Sequence, residues 1–398
     1  MPSKTSAVSA GLRVVISKRG AQRLEQGHVW IYRSDVISAP DQAAGKLVAV
    51  ADERGKLLGS ALYSAASQIA VRLIAPRPVE NLPNLLRQRI RDAVAYRQRV
   101  VSDSNAYRVV FSEADFLPGL IVDRYNDMVS FQVLTQAMDA AELRDVFVAE
   151  LRNQLHPVAI AERVEPKIRE LEELPARPSA LIEGNQSQTI FSMNGVKFHY
   201  DALEGQKTGA FLDQRENYAA AARYASGEAL DVFCYHGGFA LHLAPACSQV
   251  TGIDSSRPAL EVADRNADLN QREIEWIEGN AFDVLRDYAS SGKQYDSIVL
   301  DPPAFAKSKR DLETALRGYK ELNLRALKML RAGGMLVTCS CSYHISPAAF
   351  LEVVAAAATD AHRNLRILEN RGQAKDHPIL LNVPETGYLK CLIANVSR

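Results

Sequence analysis

The sequence predicts an α/β protein: a doubly wound parallel sheet in the C-terminal half, preceded by a small β-rich domain and a middle α+β unit. Three observations lead there. A chain of 398 residues exceeds one ordinary core and suggests two or three domains. From Leu230 onward, strand-like runs, glycine-bearing turns and helices alternate, the rhythm of a parallel sheet. The residues before it show a different rhythm, with short strands and frequent turns. The divisions fall at residues 1–75, 76–180 and 181–398.

Leu12 to Ile16, Lys46 to Val50 and Leu57 to Tyr63 are strand-like, with Gly45, Gly55 and Gly59 as turns. Pro76 and Pro78 break the pattern. A helix then spans Leu82 to Val101, and its arginines at 87, 89, 91, 97 and 99 spread positive charge around it. Tyr107 to Phe111 and Gly119 to Asp123 read as hairpin strands about Pro118-Gly119, followed by a strand from Met128 to Leu134. A helix covers Ala140 to Leu155. The charged, proline-bearing stretch from Glu162 to Ser179 reads as an exposed connection.

In the C-terminal half, Ala229 to Phe233 is a buried strand that runs through Gly237-Gly238 into a helix. Val250 to Ile253 is the next strand, ending at Asp254, with a helix from near Pro258. Ser297 to Leu300 ends at Asp301-Pro302-Pro303. A helix from Leu312 to Leu330 stops at Gly333-Gly334, which suit a C-terminal cap, and Met335 to Thr338 is a further strand. In such sheets ligands bind beyond the carboxyl ends of the strands, where these glycines and aspartates fall.

The bulk numbers exclude several classes. With 47% hydrophobic and 24% charged residues the composition is that of a globular protein, and no apolar run reaches the roughly 20 residues of a membrane span. Five scattered cysteines without CxxC pairs argue for reduced thiols in the cytoplasm, against a disulfide framework and against a metal site. Net charge is zero, yet residues 1–100 hold 16 Lys/Arg against 7 Asp/Glu while the remainder holds 31 against 40. A basic front joined to an acidic back suggests that the front meets a polyanion.

Candidate site residues come from the strand ends. Glycines 237 and 238 let backbone approach a ligand and leave helix N–H groups free. Asp254 stands 23 residues after Asp231, where an acid accepts hydrogen bonds from ribose hydroxyls. The dinucleotide pattern GxGxxG is missing, because Cys234 and His236 occupy places where it wants glycine. The turn after Ile277-Glu278-Gly279 offers Asn280 and the Ala281 backbone to an adenine. Asp301-Pro302-Pro303 makes a rigid corner that aims one polar group into the cleft.

These four elements in this order resemble the class I S-adenosylmethionine-dependent methyltransferases. Gly205 to Arg215, Asp301-Pro302-Pro303-Ala304-Phe305 and Arg317 to Asn323 narrow the resemblance to bacterial 23S ribosomal RNA cytosine-C5 methyltransferases of the RlmI type. It runs essentially end to end. Gly27-His28-Val29-Trp30 and Tyr63 to Ile69 resemble a PUA RNA-binding domain, with Val29 and Ala65 where the family usually has proline. The resemblance implies S-adenosylmethionine as cofactor, no metal, and ribosomal RNA or a large-subunit precursor as partner. For the cofactor it implies Phe211, Asp213 and Arg215 before the sheet, and Asp231, Phe233, Cys234 and Tyr235 at the first turn. Gly237, Gly238, Asp254, Ser255, Asn280, Ala281 and Asp301 complete that set. Lys207, Pro302, Pro303, Tyr319 and His377 would face the RNA.

Thr338-Cys339-Ser340-Cys341-Ser342-Tyr343-His344 resembles the block that carries the nucleophile of RNA cytosine-C5 methyltransferases, which aligns Cys341 with it. Asp301 is then the second catalytic residue, in contact with the cytosine ring. Many such enzymes have a second cysteine where this chain has Ala304. Cys339, still within the strand, reads as packing, as do Cys234, Cys247 and Cys391. Lys207 is a phosphate ligand or a surface charge, and His377, in a block with Tyr388-Leu389-Lys390, a general base or a loop cap. The Gln-Lys-Thr-Gly and Asp-Pro-Pro blocks also occur in a guanine-N7 methyltransferase module. Methylation of another base or atom without a thiol, and a non-catalytic RNA-binding factor, therefore stay open, as does a homodimer.

Overall fold

The computed structural model describes residues 12–204, 210–306 and 308–397, and these form two compact units. The first takes residues up to Thr189, then Tyr200 to 209 and Asp376–Thr386. The second takes Ile190–His199, Ala210–Lys375 and Gly387 to the end. No described helix is long and apolar enough to cross a membrane.

In the first unit a six-stranded sheet runs in the order Trp30–Tyr32, Ile69–Ala75, Leu57–Tyr63, Leu47–Asp52, Arg13–Ile16, Val36–Ser38. Its alternating apolar residues Val14, Ile16, Val48, Val50 and Ala61 meet in one cluster. A helix over Lys18–Glu25, capped by the Ser17 hydroxyl, escapes the sequence reading because its apolar positions are few. A second sheet orders Ala180–Glu183, Ala159–Glu162, Met128–Val133, Leu120–Tyr125 and Ala106–Phe111. The helices Leu82–Val100 and Ala141–Leu155 share its core through Leu86, Ile90, Phe147 and Leu151.

Two expectations about charge are corrected here. The positive charge expected around the Leu82–Val100 helix is displayed only in part: Arg91 and Arg99 are exposed, but Arg97 is 1% exposed and grips both carboxylate oxygens of Asp115. It also donates to the carbonyls of Arg108 and Asp376 at 2.9 and 2.8 Å. Arg89 donates to the Ile74 and Phe116 carbonyls, and Arg91 pairs with Glu150. The stretch from Glu162 to Ser179 is likewise no exposed connection. It contains a helix, Pro166–Leu171, and its Glu162, Arg163, Arg169 and Glu172 are buried. Glu162 and Asp139 are held among Arg144, Arg169 and Arg177. Sequence polarity does not separate a solvated charge from a paired one, and paired charges bury. Replacing Arg97 by methionine leaves the Asp115 carboxylate without its counter-charge, held among the described residues only by the Phe111 N–H, and two carbonyls without this donor. It should cost about 3–5 kcal/mol, read as a lower urea midpoint; an unchanged midpoint would return Arg97 to the surface.

The second unit carries a seven-stranded sheet. Its strands are β1 (Glu228–Val232), β2 (Gln249–Asp254), β3 (Glu275–Glu278), β4 (Tyr295–Leu300), β5 (Leu330–Ser340), β6 (Asn364–Arg371) and β7 (Lys390–Ser397). Their spatial order is β3-β2-β1-β4-β5-β7-β6, parallel except for β7, which is antiparallel to both β5 and β6. The helices are α1 (Arg215–Ala222), α2 (Gly238–Leu243), α3 (Arg257–Leu269), α4 (Ala281–Ser291), α5 (Leu312–Met329) and α6 (Pro347–Asp360). The order reverses between β1 and β4, so their carboxyl ends open the crevice where such sheets hold ligands. Gly333 and Gly334 do not cap α5, which passes through Leu330 directly into β5. A Cβ on Gly334 would lie 2.9 Å from the carbonyl oxygens of Arg331 and Asp296, so glycine there serves a close backbone approach.

Candidate active site

The site grows from the turn after β1. Phe233, Tyr235 and Gly237 all have positive φ, at 69°, 48° and 81°. Left-handed backbone at two side-chain-bearing residues is costly and concentrates where a ligand is gripped. The N–H groups of Phe233 and Cys234 both donate to the Ile253 carbonyl at 2.9 and 3.0 Å, which holds the turn against β2. At Gly238 any side chain would strike Tyr218, whose ring lies 2.5 Å from the place of a Cβ. Gly237 is equally confined, with the Trp276 ring at 2.9 Å. Cys234 is buried, and desolvation pushes its thiol well above the ordinary range, so it packs as a neutral group.

Asp231 is fully buried. Its Oδ2 accepts from the Ala240 N–H at 2.8 Å, while Oδ1 has no partner among the described residues. Burial, with the charges of Asp301 and Asp254, raises its pKa to about 8. Asp254 behaves otherwise. It is half-buried, and its two carboxylate oxygens accept the N–H groups of Tyr235 and Ser256 at 3.0 and 2.9 Å. Those bonds fix the carboxylate and leave further lone pairs on each oxygen. Ser255 beside it is exposed. Asn280 caps α4, accepting from Phe282 and Asp283, and Ala281 is buried beneath it.

At the end of β4, Asp301 donates its N–H to the Val232 carbonyl at 3.2 Å, tying the Asp-Pro-Pro turn to β1. Its Oδ1 accepts from Gln214 Nε2 at 2.9 Å. Behind Gln214 stands Asn217, which donates to its Oε1 at 2.7 Å and accepts from Arg371 at 2.8 Å. Pro302 is buried and Pro303 exposed. In the segment before α1, Phe211 packs edge-on against Tyr235, Asp213 accepts from the Tyr388 hydroxyl, and Arg215 is buried.

Cys341 follows β5 immediately and is half-buried, its Sγ 3.9 Å from the Pro302 carbonyl. Ser342 clamps this turn to its surroundings. Its hydroxyl meets Tyr319 Oη at 3.0 Å and accepts from the Ala306 N–H at 3.3 Å. Tyr319 is therefore a buried support of the cysteine turn, inside a cluster with Ile345, Phe350 and Leu392. Cys339 lies opposite Cys391 in the β5–β7 pair and is fully buried.

The second unit thus brings together Phe211, Asp213, Asp231, the 233–238 turn, Asp254, Asp301, Pro302 and Cys341 at one end of its sheet. His377 belongs to the first unit, where it is 2% exposed against the Phe111 ring. Its neighbour Asp376 accepts from the Arg108 N–H at 2.8 Å. Lys207 lies outside the described residues. The sequence reading missed Gln214, Asn217, Ser342 and Lys390, which act through other residues. For Gln214 the signal was its place inside the block that ends at Arg215.

Comparison with known proteins agrees with this architecture. Residues 14–76 match a PUA-like domain family, and residues 177–387 match the S-adenosylmethionine-dependent methyltransferase family. Proteins named ribosomal RNA large subunit methyltransferase I are similar along nearly the whole chain. The one from Tolumonas auensis is 38% identical, covering 96% of this chain and 98% of its own. That from Shewanella denitrificans is 36% identical with 97% and 99% covered, and that from Escherichia coli 34% with 95% and 98%. Among solved structures, SMU.776, described as a methyltransferase and solved with SAH, superposes with a TM-score of 0.82 at 18% identity, covering 96% of this chain and 100% of that one. The family model spans more than half of the chain and the relatives span nearly all of it, so the chain belongs to the S-adenosylmethionine-dependent methyltransferases, in the family of the ribosomal RNA large subunit methyltransferase I proteins.

Proposed function

We propose that this methyltransferase acts on C5 of a cytosine in large-subunit ribosomal RNA, through a covalent adduct between Cys341 and the base. The observation that carries the reading is the thiol of Cys341 against the Pro302 carbonyl, one residue from Asp301, beside the β1 turn. A nucleophile and an acid then stand where the strand ends open. The names of the relatives and the PUA-like match support RNA as substrate. The same reading divides the chain into an RNA-binding part (1–75), a middle part (76–180) and a catalytic part (181–398).

The residues fit the cofactor. The buried Asp231 has an unused oxygen at the turn, the glycines admit close backbone approach, and Asp254 is a fixed acceptor for ribose hydroxyls. Phe211, Tyr235 and the Asn280–Ala281 turn would enclose the remainder. When bound, S-adenosylmethionine supplies an electrophilic methyl group on a sulfonium.

Cytosine C5 alone is too weak a nucleophile to accept that methyl. Addition of the Cys341 thiolate to C6 forms the S–C6 bond and turns C5 into an enamine carbon that can. Loss of the C5 proton to a base and departure of Cys341 then restore the aromatic ring. Asp301, whose Oδ1 accepts from Gln214 Nε2, would hydrogen-bond the ring edge and hold the cytosine in register with the thiol. A stacked base cannot reach this position, so the target must be flipped or single-stranded.

Bisulfite sequencing tests the reading, because C5-methylated cytosine resists conversion. In ribosomal RNA from cells lacking the gene, one large-subunit cytosine should convert that is protected when the gene is restored. A map without such a difference would overturn the proposal.

A further inference from the structure

Lys390 is a lysine where lysines are rarely found. It opens β7, lies opposite Ser340 in the antiparallel pair with β5, and is 6% exposed. An ammonium in such a place needs compensation. Its Nζ donates to the Ser342 carbonyl at 2.7 Å and to the Tyr388 carbonyl at 2.8 Å. These carbonyls are dipoles, not charges. Ser342 is the residue next to Cys341, so the lysine is fastened to the cysteine-bearing turn itself.

We infer that Lys390 is a positioning residue for Cys341: its anchored ammonium fixes the turn after β5 and acts as counter-ion to the Cys341 thiolate. The inference rests on the reading of Cys341 as nucleophile, and it assigns what makes that thiol reactive.

Burial lowers the Lys390 pKa to about 8, and Cys341 is the ionisable neighbour that opposes this, favouring the charged lysine. An ammonium at Lys390 and a thiolate at Cys341 would each stabilise the other. The other titratable groups around the pair come from β4, α5 and the segments before α1 and β7. They include Asp301, Tyr319, Asp213 and Tyr388, and on β5 and β7 themselves the buried Cys339 and Cys391, of which Cys339 is held neutral by burial. Of these, Tyr319 has its pKa raised by burial and stays neutral below its ordinary value of 10.0. Asp301 and Asp213 are carboxyl groups, whose negative charge would work against a second anion. A cation at Lys390 therefore offsets a repulsion that a cysteine so close to Asp301 must feel.

The test reads the thiol without RNA. Full-length protein is alkylated with iodoacetamide across pH 5 to 10, and the Cys341 and Cys247 peptides are followed by mass spectrometry. Cys247, raised to about 11 by burial, is the internal reference. In the unaltered protein Cys341 should be modified with a midpoint below the ordinary thiol value of about 8.5. A midpoint at or above that value overturns the inference without any variant. In Lys390→Met the Cys341 rate at pH 7 should fall about tenfold, the effect of a one-unit rise in thiol pKa. Lys390→Arg, which keeps a cation and donors, should recover most of it. A Lys390→Met protein that binds S-adenosylmethionine normally with an unchanged profile would also overturn the inference. Failure of Cys341 as a nucleophile would show separately, as methylation that survives loss of the thiol.

Discussion

Replacing Cys341 by alanine should abolish methyl transfer to RNA, with a loss of about 10³-fold or more. A thiol that forms and breaks a bond to the base has no substitute in a methyl group. Through kcat that is about 4 kcal/mol of transition-state stabilisation. Cofactor binding should persist, because the groups that fit the cofactor, Asp231, the glycine turn and Asp254, keep their own hydrogen bonds when the thiol is removed. The measurement is single-turnover methylation of ribosomal RNA, with calorimetry on S-adenosylmethionine as control. Full activity in the alanine variant would move the reaction to an atom that needs no thiol, such as a ring nitrogen. Serine should rescue nothing, since its hydroxyl does not ionise near neutral pH as a thiol does.

The second large effect concerns Asp231. Its folded pKa is about 8, against an ordinary value of 3.8, and burial is the first cause. Between these two values the folded protein keeps a proton that the unfolded chain has released. Stability contributed by this group is therefore present at low pH, falls as pH rises from about 4 to about 8, and is level above that. Asp231→Asn mimics the protonated acid: its carbonyl accepts from the Ala240 N–H, and its amide occupies the place of the unpaired Oδ1. The variant should match the native protein near pH 4 and exceed it by a few kcal/mol near pH 8. Thermal or urea unfolding across that range measures the difference. A constant gap would show that Asp231 is ionised throughout.

The five parallel strands β1 to β5 were legible because their signals are local, whereas β6 and the antiparallel β7 were not read from the sequence. Apolar strands end in Gly237-Gly238, Asp254, Asp301-Pro302-Pro303 and Cys341, and each of these sits at a strand end in the structure. The supports of the site were not legible. Gln214 steadies Asp301 from 87 residues away, and Lys390 reaches Ser342 from 48. The first pair exists only once the segment before α1 lies at the end of β4, the second only once β7 lies beside β5, and neither residue type announces its role. Charge misled for a similar reason. Arg169 and Glu162 read as part of an exposed connection and Arg97 as part of a positive helix surface, but each finds an opposite charge on another segment. The Gly333-Gly334 pair was misread because glycine marks a close backbone approach as readily as a helix end.

The path of the chain has a consequence for how the protein can be made or divided. The first unit is built mostly from the opening residues, but Asp376–Thr386 belongs to it, and Asp376 supplies both a carbonyl to Arg97 and a carboxylate to the Arg108 N–H. During synthesis, residues up to Thr189 must wait for the much later Asp376–Thr386 segment before the buried guanidinium gains its last partner. No single cut yields both units intact, so neither is an independent module in the genetic sense. A recombination that exchanged only the front of the gene would have to exchange this distant insert with it.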